Sequence, residues 1–364
     1  MVMKQPPTSN LQKPRASRVD IAARAAGVLV GTACGDALGV PYEFAPKVQI
    51  APSMRGGGMG PYRAGEWSDD TQLAVALAEV AVTGANLQSK ASLDNVAERM
   101  LRWLKAGATD VDSQTRVILQ GALDDETDRS PAHKVAASAA YFHKRTGRSA
   151  GNGILPRAGV LGLTRVHSRQ LTSEAARAVS CLTHPDPLAG DAVVLWAEAV
   201  RYAVTAPAGS TWAGRINIEG GIDLLPLHRQ KQWRQWVEEA LERYFAPPSD
   251  NTYVVSAFQA ALGAIAATAL EEVPLKRAFA QATSRAVQAG GDTDTVAAAV
   301  GALMGAVVGA SNIPPEWVKK IHGWPGLRAT DLHDMGAGIA IAGIVGQKAM
   351  AQALAGEIDL EGDK

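Results

Sequence analysis

Gly290-Gly291-Asp292-Thr293-Asp294-Thr295-Val296-Ala297-Ala298-Ala299-Val300-Gly301-Ala302-Leu303-Met304-Gly305 opens on two glycines and two acids, then runs through small apolar residues without a charge. The uncharged run continues to Pro314-Pro315, too long for an ordinary strand and spaced for a helix. Gly301, Gly305 and Gly309 recur every four residues, which lines one helix face with the smallest side chain and lets a neighbouring backbone approach. The length from Thr295 to Pro315 raises the question of a membrane span. Spans lean on Leu, Ile and Phe rather than Ala and Gly, so the stretch reads as a buried core helix.

The same spacing recurs outward from it, at 21–39, 70–83, 92–105, 173–181, 189–205, 252–270, 275–288 and 295–310. Only Tyr253-Val254-Val255 and Val28-Leu29-Val30 are β-branched enough to suggest strands, and both sit inside longer helical patterns. The expectation is an all-α protein. Segments 41–68, 106–116, 147–160 and 206–228 are turn-rich interruptions, and no internal repeat or linker divides the chain. Residues 1–20 read as a flexible basic arm, carrying Lys4, Lys13, Arg15 and Arg18 before the first acid at Asp20. A single domain is expected over 21–350, followed by an acidic tail at 351–364.

The 364 residues hold 36 Lys+Arg against 36 Asp+Glu, a formal net charge of zero. That balance disfavours a general nucleic-acid binder, which needs basic excess to neutralise phosphates. Cys34 and Cys181 are the only cysteines, so neither a disulfide framework nor a thiolate zinc knot is available, which fits a reducing compartment. The opening residues lack the apolar centre of a secretory signal, and the expected location is the cytoplasm.

Two segments concentrate carboxylates at helix entrances: Ser68-Asp69-Asp70-Thr71 before LAVALAEVAV, and Asp292-Thr293-Asp294-Thr295 before VAAAVGALMGAVV. Three explanations compete. Ser, Thr and Asp cap first-turn amides, although a cap needs one such residue. The acids can form a solvated surface patch. Or they can hold a hard cation, because adjacent carboxylates repel and no Lys or Arg lies within either segment. Carboxylates and hydroxyls without His or Cys suit Mg²⁺ or Mn²⁺ and are a poor set for zinc or copper. A third segment, Gly35-Asp36-Ala37-Leu38-Gly39-Val40-Pro41-Tyr42-Glu43, ends a small-residue helix and delivers Glu43 into a loop, where by itself it reads as a surface acid.

Taken in order, G-D-A-L-G-x-x-Y-E, S-D-D-T and G-G-D-T-D-T resemble the ADP-ribosylglycohydrolase family, over roughly residues 21–345. The resemblance implies a compact orthogonal helical bundle with a di-metal site holding two Mg²⁺ or Mn²⁺ ions, and cleavage of the bond between ADP-ribose and a modified protein side chain. It places metal ligands on Ser68, Asp69, Asp70, Asp292, Asp294 and Thr295, with serine where the family often has threonine. Asp70 then also belongs to the catalytic group, with Glu43 helping to activate water, while Asp36 matches a buried structural acid. Asp110-Val111-Asp112-Ser113-Gln114-Thr115-Arg116 resembles D-I-G-x-T-T-R, with Asp112 in place of glycine, so Asp110 and Asp112 are candidates for drawing a cationic leaving group. Gly151-Asn152-Gly153-Ile154-Leu155-Pro156-Arg157 resembles G-N-G-x-x-M-R, a loop that approaches the diphosphate, and Thr183-His184-Pro185-Asp186 is similar to the family's T-H-x-D. Asn152, Gly153 and His184 are therefore the substrate-binding candidates; without the resemblance His184 reads as a turn residue.

The carboxylates at 110 and 112 favour ADP-ribosylarginine as the substrate, with ADP-ribosylserine or another ADP-ribose conjugate as the alternative. Some bacterial members of the resembling family act as immunity proteins that also block an ADP-ribosyltransferase toxin with an N-terminal extension, a role open to residues 1–20. Two rivals stand beside this reading. A non-catalytic protein binding ADP-ribose or the toxin would be expected to lose the carboxylate pairs, which are intact. An isoprenoid-synthase-type enzyme needs DDxxD, whereas Asp69-Asp70 is followed by Thr71, Gln72 and Leu73, and only 5% of residues are aromatic.

Overall fold

The structure, a computed structural model, describes residues 16–47, 49–242 and 250–354, with side chains described through residue 346. Residues 1–15 of the expected arm and 355–364 of the expected tail lie outside the described residues.

The first helix, α1 (Arg18–Gly39), begins three residues ahead of Ile21, because Ser17 and Asp20 close a reciprocal capping box over its first turn. It is followed by α2 (Asp69–Ala81), α3 (Lys90–Lys105), α4 (Ser113–Leu123), α5 (Pro131–Thr146), α6 (Ala158–Thr164), α7 (Arg169–Thr183) and α8 (Pro187–Thr205). The second half holds α9 (Leu227–Glu242), α10 (Val254–Leu270), α11 (Leu275–Ala289), α12 (Thr293–Val308), the short α13 (Pro315–Val318) and α14 (Ala329–Leu354). Sheet among the described residues is confined to a hairpin of β1 (His322–Gly323) and β2 (Leu327–Arg328) plus isolated bridges. The all-α expectation holds, and both stretches that suggested strands are helical or cap a helix.

Periodicity alone missed α4, α5, α6, α9, the short α13 and α14. Helix α4 starts inside the segment read as turns at 106–116, α6 inside 147–160, and α9 at the end of 206–228. In α5 and α9 only two and three residues are buried, so each helix shows the core a thin stripe on an otherwise polar surface.

The centre of the fold is the antiparallel pair α1 and α12, the most extensive packing between any two helices. Gly301 and Gly305 lie in that seam as their spacing predicts, and their partners are Gly31 and Gly27 of α1. A Cβ on Gly31 would stand 2.2 Å from the Gly301 carbonyl oxygen, and one on Gly305 would stand 2.0 Å from that of Gly27. Backbone meets backbone here, and any side chain would force the helices apart. Gly309 departs from the expectation: it ends α12 with φ of 78° and leaves the seam to the other two. At the opposite end, Gly39 lies against Asp294, where a Cβ would come within 2.4 Å of the Asp294 Cα. The seam therefore brings the C-terminal end of α1 to the acidic start of α12.

Helix α14 packs on α1, α11 on α12, and α8 on α6 and α7. The segment Arg18–Tyr42 is long and apolar enough to cross a membrane, yet 89% of that window is buried inside the protein. The uncharged run questioned as a span forms α12, whose residues are all buried, as far as Val308 and continues to Pro315 outside that helix.

Candidate active site

Helix α2 begins with Ser68 as N-cap, but that side chain does not cap its own helix. Asp36, reaching across from α1 with no exposure, does so instead. Its Oδ1 accepts from the Ser68 N–H and hydroxyl, both at 2.8 Å, and its Oδ2 from the Thr71 N–H at 3.0 Å and the Thr71 hydroxyl at 2.6 Å. The first-turn amide is satisfied by another helix, which frees Asp69 and Asp70 from capping. At α12 the N-cap Asp292 likewise makes no side-chain cap bond. Its own N–H donates to Asn251 Oδ1 at 2.8 Å, and the Asn251 amide donates to the Gly290 carbonyl at 3.0 Å. Gly291 has φ of 75°, and a Cβ there would lie 2.2 Å from Asn251 Oδ1, so this turn needs glycine.

Loop and helix then meet. The Phe44 N–H donates to the Gly291 carbonyl at 2.8 Å, and the Thr293 hydroxyl to the Gly39 carbonyl at 2.9 Å. These bonds set Glu43 above the start of α12, where Glu43, Asp292 and Asp294 each offer a carboxylate oxygen within 4.8 Å of the others. The Thr295 hydroxyl favours the charged forms of both Asp70 and Asp292, which relates it to both acidic entrances. Glu43 is thus part of the cluster rather than a surface loop acid.

Asn152 and Gly153 close one side. The Asn152 amide donates to Asp292 Oδ2 at 2.8 Å and to the Asn251 carbonyl at 2.9 Å, so both of its hydrogens are committed to holding the acidic loop. Asp112 caps α4 through the Thr115 N–H at 2.8 Å, and its second oxygen faces Gly153, 3.4 Å from where a Cβ would be. The Asp110 side chain has a buried oxygen without a hydrogen-bond partner. His184 is 1% exposed; Nδ1 lies 2.9 Å from the Thr183 hydroxyl, and Nε2 is buried without a partner beside Gly151. Burial, and after it the charge of Arg157, holds its imidazole neutral.

Two residues that the sequence reading passed over organise this floor. Asn251 clamps the Gly290-Gly291 turn. Arg157, fully buried, donates to the Gly153 carbonyl at 2.9 and 3.2 Å and to the Thr183 hydroxyl at 3.1 Å, in the field of Asp112, Asp70 and Asp69. Arg157 holds the arginine position of the G-N-G-x-x-M-R resemblance, without a role assigned to it from sequence; Asn251 carries no local signal.

The electrostatics decide among the three readings of the acids. Burial, reinforced by neighbouring carboxylates, pushes Asp69, Asp70 and Asp294 well above the usual carboxylate range. Burial with Asp110, Asp292 and Asp36 pushes Glu43 up to about 8. Asp36 is pushed up to about 6 by burial against its four hydrogen bonds, and Asp110 is raised by burial and then by Asp292. Neither N-cap, Ser68 or Asp292, caps its own helix through its side chain, and Asp294 Oδ1 accepts one first-turn amide, that of Thr295 at 3.0 Å. Asp70, Asp292 and Asp294 are buried, so neither capping nor a solvated surface patch accounts for the cluster. Glu43 Oε2 and Asp292 Oδ1 are buried oxygens without hydrogen-bond partners, within the cluster itself. Bare oxygens, converging and unrelieved by a nearby ammonium, are the donor set of a hard divalent cation. The residues present fit such an ion.

An all-α bundle with an oxygen-only carboxylate centre between two helix entrances defines an acid-lined centre suited to a hard cation rather than a thiolate or imidazole one. The ADP-ribosylglycohydrolase family profile matches residues 17–352, and the chain belongs to that family and is a glycohydrolase. Its relatives include the ADP-ribosylarginine hydrolase Tri1 of Pseudomonas putida (strain GB-1), 29% identical over 82% of this chain and 74% of that protein. The ADP-ribosyl-[dinitrogen reductase] glycohydrolase of Rhodospirillum rubrum is 28% identical over 82% of this chain and 90% of its own length. Among solved structures, a chain of an ADP-ribosylglycohydrolase-related protein complex superposes with a TM-score of 0.66 at 26% identity, covering 89% of this chain and 99% of that one.

Proposed function

We propose that the protein removes ADP-ribose from modified arginine side chains, using two Mg²⁺ or Mn²⁺ ions. The observation that carries this reading is the convergence of Glu43, Asp292 and Asp294 with unpartnered oxygens between two acidic helix entrances. The names of the relatives support arginine as the linkage. Ser68, Asp69, Asp70, Asp292, Asp294 and Thr295 would hold the ions. When bound, such ions fix substrate oxygens and polarise water or a leaving group.

The chain's own residues supply the rest. Asn152 and Asn251 hold Asp292 in place, and Asp36 holds the start of α2. Glu43 stands on the loop beside the cluster, where a carboxylate can take a proton from water as a glycosidic bond opens through an oxocarbenium-like transition state. Asp110 and Asp112 would attract the guanidinium as it leaves. Gly153 and His184 line the other wall, with His184 neutral and so available as a hydrogen-bonding group rather than a cation.

The reading extends to an immunity role, in which the basic arm at residues 1–20 blocks a cognate ADP-ribosyltransferase toxin in the cytoplasm. Deleting the arm is expected to abolish toxin binding while hydrolysis continues; unaltered binding rejects that role. The hydrolase reading is tested with proteins carrying defined ADP-ribosylarginine or ADP-ribosylserine, with Mg²⁺, with EDTA, and with Asp294→Ala. ADP-ribose release from arginine that stops under EDTA and in the variant is the expected result. Release that survives both overturns the metal-dependent reading, and release from serine alone overturns the linkage.

A further inference from the structure

Beside the acidic centre, and outside it, lies a cavity of about 180 Å³ whose lining includes Tyr62, Trp103, Trp324, Glu66, Gln72 and Thr109. Its volume is below the roughly 300 Å³ at which pockets for drug-sized ligands begin, so it suits one side chain rather than a nucleotide. Its walls are built. Trp103 has no exposure and donates its indole N–H to Gln72 Oε1 at 2.6 Å. Trp324 sits in the β1–β2 hairpin, and its carbonyl accepts the Trp67 indole N–H at 3.2 Å. Glu66 is fixed by the Arg63 N–H at 2.9 Å.

The chemistry of the lining selects a cation. Three aromatic side chains line it, tryptophan being the best ring for a cation, and the single charged group is a carboxylate. No basic residue lines it. Tyr62 forms the boundary with the acidic centre: burial, then the charges of Asp69 and Asp110, holds its phenol protonated, so those carboxylates extend the negative field to the cavity. One residue of extended chain spans roughly 3.3–3.6 Å, so a residue close in sequence to a modified one at the centre can reach it.

We propose that this cavity is a specificity subsite for a lysine or arginine side chain of the ADP-ribosylated protein, flanking the modified residue. The subsite rests on the reading of the centre as one that acts on ADP-ribosylated protein. The cationic head faces Glu66, and its alkyl stem lies against the partly exposed Trp324, with the buried Trp103 behind them as the rigid wall.

Peptides carrying one ADP-ribosylarginine, with either lysine or norleucine at the adjacent positions, test it. The wild-type enzyme is expected to show a KM at least about five-fold lower for the lysine peptides at similar kcat, the scale of one cation–π contact and a partly exposed ion pair. In Glu66→Gln the preference is expected to collapse to less than about two-fold. A wild type with no preference, one that favours norleucine, or a variant that keeps the full preference overturns the subsite. If the wild type hydrolyses none of the peptides, the functional reading fails, and a separate titration still decides the subsite. Agmatine added to the ¹⁵N-labelled protein is expected to shift the Trp324 indole resonance and neighbouring backbone resonances saturably, with affinity lowered at least about five-fold in Glu66→Gln. Unmoved resonances, or equal affinity in both proteins, overturn it.

Discussion

The entrances of α3, α7 and α8 look much like those of α2 and α12 in sequence and behave differently. Ser89, Ser168 and Asp186 each accept an N–H of their own first turn, from Ser92 at 3.2 Å, Leu171 at 3.2 Å and Leu188 at 2.8 Å. The N-caps Ser68 and Asp292 accept none, although their segments hold more acids. At α2 the capping is done from α1 by Asp36, and at α12 Asn251 takes the Asp292 N–H. Where the N-cap side chain is released from capping, its segment's carboxylates face the site; at α12 Asp294 Oδ1 still accepts one first-turn amide, that of Thr295 at 3.0 Å. An acid at a helix start is thus uninformative by itself, and the informative sign is an N-cap side chain that its own helix does not use.

The largest consequence of that division concerns activity. Replacing Asp70 or Asp294 by asparagine preserves shape and removes charge, and is expected to lower kcat/KM by about 10²–10³-fold, the scale of losing one preorganised electrostatic group. Ser168→Ala, by contrast, is expected to cost about 1 kcal/mol of stability with kcat preserved. Steady-state kinetics and denaturant melts on both variants separate the two kinds of entrance. Equal effects on both quantities would erase the distinction.

Asp36→Ala sharpens the comparison from the side of the delegated cap. It strands four donors on Ser68 and Thr71, and each buried unsatisfied group costs about 1–3 kcal/mol. A melt is expected to show a larger loss than for Ser168→Ala, together with reduced activity, because the start of α2 is released. A loss no greater than that of an ordinary cap contradicts the delegated role.

The smallest expected effect is a pH dependence of the metal-free protein. Asp36 and Glu43 stand at about 6 and about 8 against ordinary values of 3.8 and 4.5. The folded state therefore keeps protons that the unfolded chain has released, so their contribution is fully present below the ordinary values and is lost as pH rises through the folded ones. In EDTA the melting temperature is expected to fall between pH 5 and pH 8, and added Mg²⁺ is expected to narrow the difference. A flat profile counts against the crowded carboxylates.

Much of this was legible from particular residues. The Gly301 and Gly305 spacing announced the seam, because backbone contact between helices leaves a mark on every turn. It did not name Gly27 and Gly31 as partners, since tertiary pairing leaves no trace in local spacing. Helix α14 escaped notice because Gly336, Gly338, Gly343 and Gly346 weaken a helical reading, although Gly336 and Gly343 lie against the backbones of Ala25 and Thr164. The paired acids marked the site, while Asn251, 41 residues from the Asp292 it holds, had no pattern to betray it. Glu43 read alone as a loop acid, because its burial is created by α12 and not by its own segment.

The most direct test of the central claim, that the entrances of α2 and α12 form one cation-binding centre, is a Mn²⁺ titration followed by electron paramagnetic resonance. It uses the wild type, Asp70→Asn and Asp294→Asn, with folding checked by circular dichroism. The account predicts saturable binding in the wild type and loss of affinity in both variants, one from each helix. Full binding retained in either folded variant would contradict it.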